Sequence, residues 1–204
     1  MLDLWLRPLK DRALEPFARR LGGRIHPHVI SVVGVLTGLT AAFLAAQTEY
    51  RAALLCWIAN RALDGLDGVV SRLDGRQSDF GGYLDIVFDY IVYAAIPIGL
   101  VAGTPSPEAY GAGLILLASF LINAASWMYL AAILERRNLG ASATGERTTI
   151  TMPRGLIAGS ETIVFYALFL VFPQRFPLLF DVMAGLVFLT IIQRMKSAAS
   201  TLDN

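Results

Sequence analysis

Cysteine is almost missing from this 204-residue chain: Cys56 stands alone, which excludes a disulfide framework and any zinc site built on paired thiolates. Histidine is nearly as scarce. His26 and His28 lie two apart around Pro27, do not share a helix face and are not read as a metal pair. Charged residues make up only 16% of the chain, against about 25% in an ordinary soluble domain. Neither sign dominates: 17 Lys and Arg against 16 Asp and Glu leave a net charge of +1 and no electrostatic footprint for nucleic acid. Disorder would need far fewer apolar residues and a larger net charge. What abounds is apolar sequence, 55% of the chain, in blocks too long for a soluble core to absorb. The chain reads as an integral membrane protein.

A membrane-spanning helix takes about 20 mostly apolar residues. Six windows qualify: Val29–Thr48, Ala52–Arg72, Phe80–Ala102, Ala109–Leu134, Gly155–Phe172 and Leu178–Met195. Pro and Gly clusters at Gly103–Pro107 and Pro173–Pro177 punctuate them, and only Glu135–Arg154 forms a long polar connection. No internal repeat interrupts this pattern. Before the first span, Leu2, Leu6, Leu9, Ala13, Phe17 and Leu21 keep helical spacing among Arg7, Lys10, Asp11, Arg12, Arg19 and Arg20. That is an amphipathic helix lying in the membrane interface, with Pro8 to start it and Pro16 to bend it. It lacks the unbroken apolar core and cleavage site of a signal peptide. The expected architecture is an all-α membrane protein: an amphipathic interfacial helix over residues 1–27, then one six-helix transmembrane domain over 28–204.

Basic residues set the orientation. Arg7, Lys10, Arg12, Arg19, Arg20, Arg24, Arg72, Arg76, Arg136, Arg137, Arg147, Arg154, Arg194 and Lys196 fall on one side; Arg51 and Arg175 fall on the other, and Arg61 lies within a span. The first group is expected to be cytosolic, with both termini, in a cell (inner) membrane.

Six acidic residues crowd between positions 64 and 89: Asp64, Asp67, Asp74, Asp79, Asp85 and Asp89. Asp74 and Asp79 belong to a polar connection and are expected to be solvated. The other four lie inside spans two and three, where each would cost on the order of 2.5–3.5 kcal/mol against lipid. They must face a wet cavity and bind something positive. Asp64, Asp67, Gly68, Ser71 and Arg72 share one helix face; Ser78, Gly81, Gly82, Asp85 and Asp89 make a matching stripe on the next span. Asp64 is eight residues from the end of its span and Asp89 nine from the start of its own, both roughly 12–13 Å deep. The stripes therefore meet at one depth. Four carboxylates carry −4, which suits two divalent cations held by oxygen alone, Mg²⁺ or Mn²⁺. Two such ions are a recurrent device for phosphoryl transfer. Gly68, Gly81 and Gly82 permit close approach, Arg72 offers a fork for phosphate oxygens, and a lipid-linked phosphate would explain a site within the membrane.

The run from Asp64 to Asp89 resembles the signature of the CDP-alcohol phosphatidyltransferase family, D-x2-D-G-x2-A-R-x8-G-x3-D-x3-D, at every fixed position except Ser71, where the family usually has Ala. The resemblance implies transfer of a phosphatidyl or related group from a CDP-linked lipid such as CDP-diacylglycerol to an alcohol, releasing CMP, in phospholipid synthesis. It implies that Asp64 and Asp85 touch both metals, that Asp67 completes the first site and Asp89 the second, and that Asp89 is also the base for the acceptor alcohol. Gly68, Arg72 and Ser78 would contact the CDP, and Pro27, His28, Val29 and Ile30 would line the nucleotide site, with His28 where many members have Asn or Asp. A homodimer is implied too. A divalent-cation transporter using the same carboxylates is the competing reading, although no inverted repeat supports it. A silent CDP-lipid binder is a third, opposed by the intact set of four Asp.

Elsewhere the sequence offers less. Arg61, three residues before Asp64, reads as a counter-ion or snorkelling residue. Cys56 and the tryptophans Trp5, Trp57 and Trp127 read as packing or interfacial residues. Arg154 and Glu161 share a face at the start of span five, where Glu161 either pairs with Arg154 or meets an acceptor hydroxyl or amine. The cytosolic half of span four, Ser126–Ala131, has no basic residue before Arg136, and the acceptor alcohol stays unnamed.

Overall fold

The computed structural model describes residues 3–141 and 155–202, the first helix by its backbone alone up to position 11. Every regular element among the described residues is helical. The leader forms α1 (Asp3–Leu21). Helices α2 (Pro27–Ala46), α3 (Tyr50–Leu73), α4 (Asp79–Gly103), α5 (Pro107–Arg136), α6 (Gly159–Val171) and α7 (Phe176–Leu202) fall on the six apolar windows, with a 3₁₀ turn at Pro173–Arg175 before the last. Ser142, Arg147 and Arg154 lie outside the described residues.

Four of these helices, α2, α4, α5 and α7 with its preceding turn, are long and apolar enough to span a bilayer alone. The other two differ for physical reasons. Helix α3 has the length, 24 residues, but carries Arg61, Asp64 and Asp67, all turned toward the protein. Helix α6 has only 13 residues, roughly 20 Å, and starts at Gly159 rather than Gly155. Glu161 explains that start: its Oε2 accepts from the Ala158 N–H (3.2 Å) and the Ser160 hydroxyl (3.0 Å), capping the orphan donors of the first turn.

Caps written in the sequence fix the other starts. Ser78 Oγ accepts from the Gly81 N–H at α4, and Ser106 Oγ from the Ala109 N–H at α5, both at 3.1 Å. Helix α1 begins at Asp3, upstream of Pro8, and continues through both prolines. Leu14, Ala18 and Leu21 pack on Ile30, Leu66, Val69 and Val70, while Phe17 stays exposed, as suits an interfacial helix. Asp74 corrects its expected solvation. Its Oδ2 accepts from the Gly23 N–H at 2.9 Å, where Gly23 turns at φ +72°, so the carboxylate ties the end of α1 to the end of α3.

Helices α2, α3 and α4 form the packing unit that carries the carboxylates, with α5 and α7 paired beside it. Small residues bring α2 and α4 together: a Cβ at Gly99 would overlap the Ala42 carbonyl oxygen. Asn60 Nδ2 donates to the Gly34 carbonyl at 2.8 Å and ties α3 to α2. The core between the two halves is aromatic, with Trp57, Tyr166, Phe169 and Phe180 fully buried. Cys56 packs at its margin.

Candidate active site

Two facing helices supply the acids. Asp64 and Asp67 project from α3, Asp85 and Asp89 from α4, and all four line one narrow cleft with Ser31 and Gly34 of α2. Asp67 is the most deeply placed, 8% exposed, and accepts from the Ser31 hydroxyl at 2.5 Å. Asp64 and Asp89 are about three-quarters buried. The donors are all oxygen, the chemistry that hard divalent cations prefer. Among the described residues no group of three or more His, Cys, Asp and Glu side chains is gathered, as it stands, to hold a metal ion. A cation is nevertheless present: Arg61 Nη1 lies 2.8 Å from Asp89 Oδ1 and 3.8 Å from Asp64 Oδ2. Of the two readings for Arg61, counter-ion or snorkelling residue, the geometry is that of a counter-ion.

The residues linked to the nucleotide divide. His28, half-buried, reaches toward the N-terminus of α4: a Cβ on Gly81 would lie 3.3 Å from Ser78 Oγ and 3.5 Å from His28 Nε2. The His28 ring also meets Phe80 edge-on at 5.5 Å. Gly68 leaves room for Arg72, whose Nη1 would be 3.3 Å from a Cβ there. Ser71 Oγ donates to the Gly68 carbonyl at 3.0 Å, so this hydroxyl is satisfied within its own helix. Pro27 and Ile30 are buried, Ile30 in the small apolar cluster beneath α1, and Val29 is 53% exposed. Of the four-residue stretch, His28 meets the N-terminus of α4 at Gly81 and Phe80. His26 caps α2, its Nδ1 accepting from the His28 N–H at 3.3 Å.

A second polar group was not anticipated. Arg194, expected as a charge at the cytosolic end, is buried at 5% exposure on α7. Its Nη1 donates to Asn123 Oδ1 of α5 at 2.8 Å, with Ser126 Oγ at 3.5 Å, while its buried Nε has no hydrogen-bond partner among the described residues. It lies within electrostatic reach of Tyr90, whose hydroxyl accepts from Trp127 Nε1 at 2.9 Å and which directly follows Asp89. A basic side chain of α7 thus faces α5. Thr190 and Arg194, spaced i, i+4 toward the end of the last apolar window, were the available signal.

With this geometry in view, residues 24–193 match the family profile of the CDP-alcohol phosphatidyltransferases. The chain belongs to that family. It is a membrane-embedded transferase of substituted phosphate groups that uses a CDP-linked lipid and an alcohol. The family is generally dependent on divalent cations, which the all-oxygen donor set fits. The inner membrane protein YnjF of Escherichia coli (strain K12) is 32% identical over 205 residues, 100% of this chain and 98% of that protein. The archaetidylinositol phosphate synthase of Methanothermobacter thermautotrophicus is 30% identical over 195 residues, 93% of this chain and 90% of that enzyme. The crystal structure of Mycobacterium tuberculosis phosphatidylinositol phosphate synthase with CDP-DAG bound shares the fold, with a TM-score of 0.71 at 21% identity over 92% of this chain and 94% of that one. Membership of this family places the chain in phospholipid synthesis.

Proposed function

We propose that this enzyme transfers a phosphatidyl group from CDP-diacylglycerol to a phosphorylated polyol at the cytoplasmic face of an inner membrane, releasing CMP. The convergence of Asp64, Asp67, Asp85 and Asp89 on one cleft carries the reading. The four carboxylates would hold two Mg²⁺ or Mn²⁺ ions, which when bound supply Lewis-acid polarisation and charge neutralisation for the diphosphate. Arg72, Ser78 and His28 lie toward the cytosolic ends of their helices and would bind the CDP, with Gly68 and Gly81 leaving room for it. Asp89 accepts the proton of the acceptor hydroxyl as its oxygen attacks the lipid-proximal phosphorus. The bond from that phosphorus to the bridging oxygen breaks, and CMP leaves with the electron pair. A cation transporter would need passage to both sides; family membership favours the transferase.

The phosphorylated acceptor rests on Arg194. A buried guanidinium with an unpartnered Nε is a costly feature unless an anion completes it. The archaeal relative, whose name specifies an inositol phosphate product, supports the same class. Purified enzyme with CDP-diacylglycerol, Mg²⁺ and a panel of inositol phosphate, glycerol phosphate, inositol and serine should release CMP fastest with a phosphorylated member. Serine as the fastest acceptor would reject this choice. Arg194→Gln should raise the acceptor KM by at least about tenfold, the value of one charge-assisted hydrogen bond, and leave the donor KM within twofold. An unchanged acceptor KM would remove Arg194 from the pocket.

Orientation has its own test. Burial of Arg194 leaves thirteen basic residues on the proposed cytosolic side against two opposite, Arg51 and Arg175. In a Cys56→Ser background, cysteine at exposed Glu108 should react with an impermeant thiol reagent on intact cells, and cysteine at exposed Gln77 should react only after lysis. The reverse pattern would invert the protein.

A further inference from the structure

The balance of four negative charges against two divalent cations changes once Arg61 is counted, because the cleft then carries −3. Arg61 is 9% exposed, and its position is set from behind. Nε donates to Asn60 Oδ1 at 2.8 Å and Nη1 to the Tyr93 hydroxyl at 3.1 Å. The guanidinium carbon lies 4.7 Å from the centre of the Trp57 ring and 5.3 Å from that of Tyr93. These partners are themselves fixed. Asn60 is tied to Gly34 of α2, Trp57 donates to the Ile163 carbonyl of α6 at 3.3 Å, and Tyr166 donates to the Tyr93 carbonyl. A planar group seated in this way cannot follow a moving carboxylate. It presents Nη1 to Asp89 on one helix and to Asp64 on the other, bridging α4 to α3 through the cluster.

We propose that Arg61 is a resident counter-cation of the carboxylate cluster: a positioning residue that holds Asp89 and Asp64 in place and competes with the divalent cation for them. The inference rests on the reading of the four Asp as a metal site. Without a bound cation, four carboxylates in one membrane-embedded cleft repel one another, and Arg61 offsets part of that repulsion. With a cation bound, the same fixed positive charge lies against two of its ligands and weakens its hold. Arg61 therefore tunes metal affinity downward while keeping Asp89 aimed. Neither effect is expected of a residue that merely fills space.

Calorimetric titration of purified full-length enzyme with Mn²⁺, beside steady-state CMP release, separates these effects. Arg61→Gln should bind Mn²⁺ at least about tenfold more tightly and turn over at least about tenfold more slowly, with the KM for CDP-diacylglycerol within twofold of wild type. Arg61→Lys, which keeps the charge, should retain Mn²⁺ affinity near the wild-type value and recover part of the rate. Unchanged or weaker Mn²⁺ binding by a folded Arg61→Gln enzyme overturns the inference and leaves the metal site standing. Should that variant not fold, the wild-type enzyme decides with ¹⁵N-labelled arginine. Mg²⁺ should shift the Arg61 side-chain resonance, identified by its loss in Arg61→Lys, and an unmoved resonance at saturating Mg²⁺ overturns the inference. Wild-type enzyme that binds no Mn²⁺, with Asp85→Asn giving the same flat titration, overturns the metal-site reading, and the role of Arg61 with it.

Discussion

Asp85→Asn is expected to lower CMP release by roughly 10³-fold or more, equivalent to about 4 kcal/mol of lost transition-state stabilisation. Asparagine has nearly the shape of aspartate and retains one acceptor oxygen, so the helix and its packing should persist. What is lost is a full negative charge and the second anionic oxygen with which Asp85 would bridge two cations. Asp85 is the most exposed of the four carboxylates, so its replacement leaves no buried group unsatisfied. Removing one of four like charges relieves repulsion, and thermal unfolding in detergent should be unchanged or move upward in chelator. Loss of activity with retained stability is the signature that distinguishes a ligand from a structural residue. Mn²⁺ stoichiometry measured beside the rate completes the test. Activity within tenfold of wild type, or full wild-type activity in excess EDTA, would end the two-metal account.

The sequence foretold the helices and the acids, but not what surrounds the acids, and the difference is one of range. Apolar blocks and capping residues are local signals, so α2 at Pro27–Ala46 and α4 at Asp79–Gly103 lie within a few residues of their windows. The spacing of Asp64 to Asp67 and of Asp85 to Asp89 is also local, and antiparallel neighbours carry both pairs to one depth without further information. Arg61, Arg194 and Asp74 took their roles from residues distant in sequence. Asp74 meets Gly23, Arg194 meets Asn123, and Arg61 meets Tyr93 and Asp89. Each is a charged side chain whose partner depends on which element lies beside it: charge counting treats Asp74 as solvated and Arg194 as terminal, and leaves Arg61 between counter-ion and snorkelling residue. Glu161 is an intermediate case. It caps the backbone of Ala158, three residues earlier, but alanine there carries none of the usual N-cap signature, so the role is not written in the sequence.

The membrane gives this arrangement its economy. A soluble enzyme could open its carboxylates to water on several sides, whereas here α3 must hide three ionisable residues from lipid along a single face. The face is covered by α2 and α4, whose close approach at Gly99 and Ala42 leaves no room for side chains between the backbones. The tight α2–α4 contact and the polar cleft are therefore one structural solution: small residues bring the helices together where the polar face needs no space, and the cleft opens where it does.

Asp89→Asn separates base from ligand. Asp89 lies one turn deeper than Asp85 on α4, and the next residue, Tyr90, points toward the Arg194 group proposed for the acceptor. On the proposed reading it is the carboxylate that would lie between the donor's reacting phosphorus and the acceptor hydroxyl. A carboxylate beside cations stays ionised at neutral pH, yet a free oxygen can still take a proton as the new bond forms. The amide cannot. Turnover should fall by roughly the 10²–10⁴-fold that loss of a general base produces. Donor affinity should remain within a few-fold of wild type, because Arg72, Ser78 and the remaining carboxylates are untouched. Single-turnover CMP release beside calorimetric binding of CDP-diacylglycerol reads both quantities. The variant also removes the negative partner of Arg61 and leaves that guanidinium beside Asp64 alone. A fall in donor affinity that matches the fall in rate would make Asp89 a metal ligand and nothing more, and the proton of the acceptor would then need another destination.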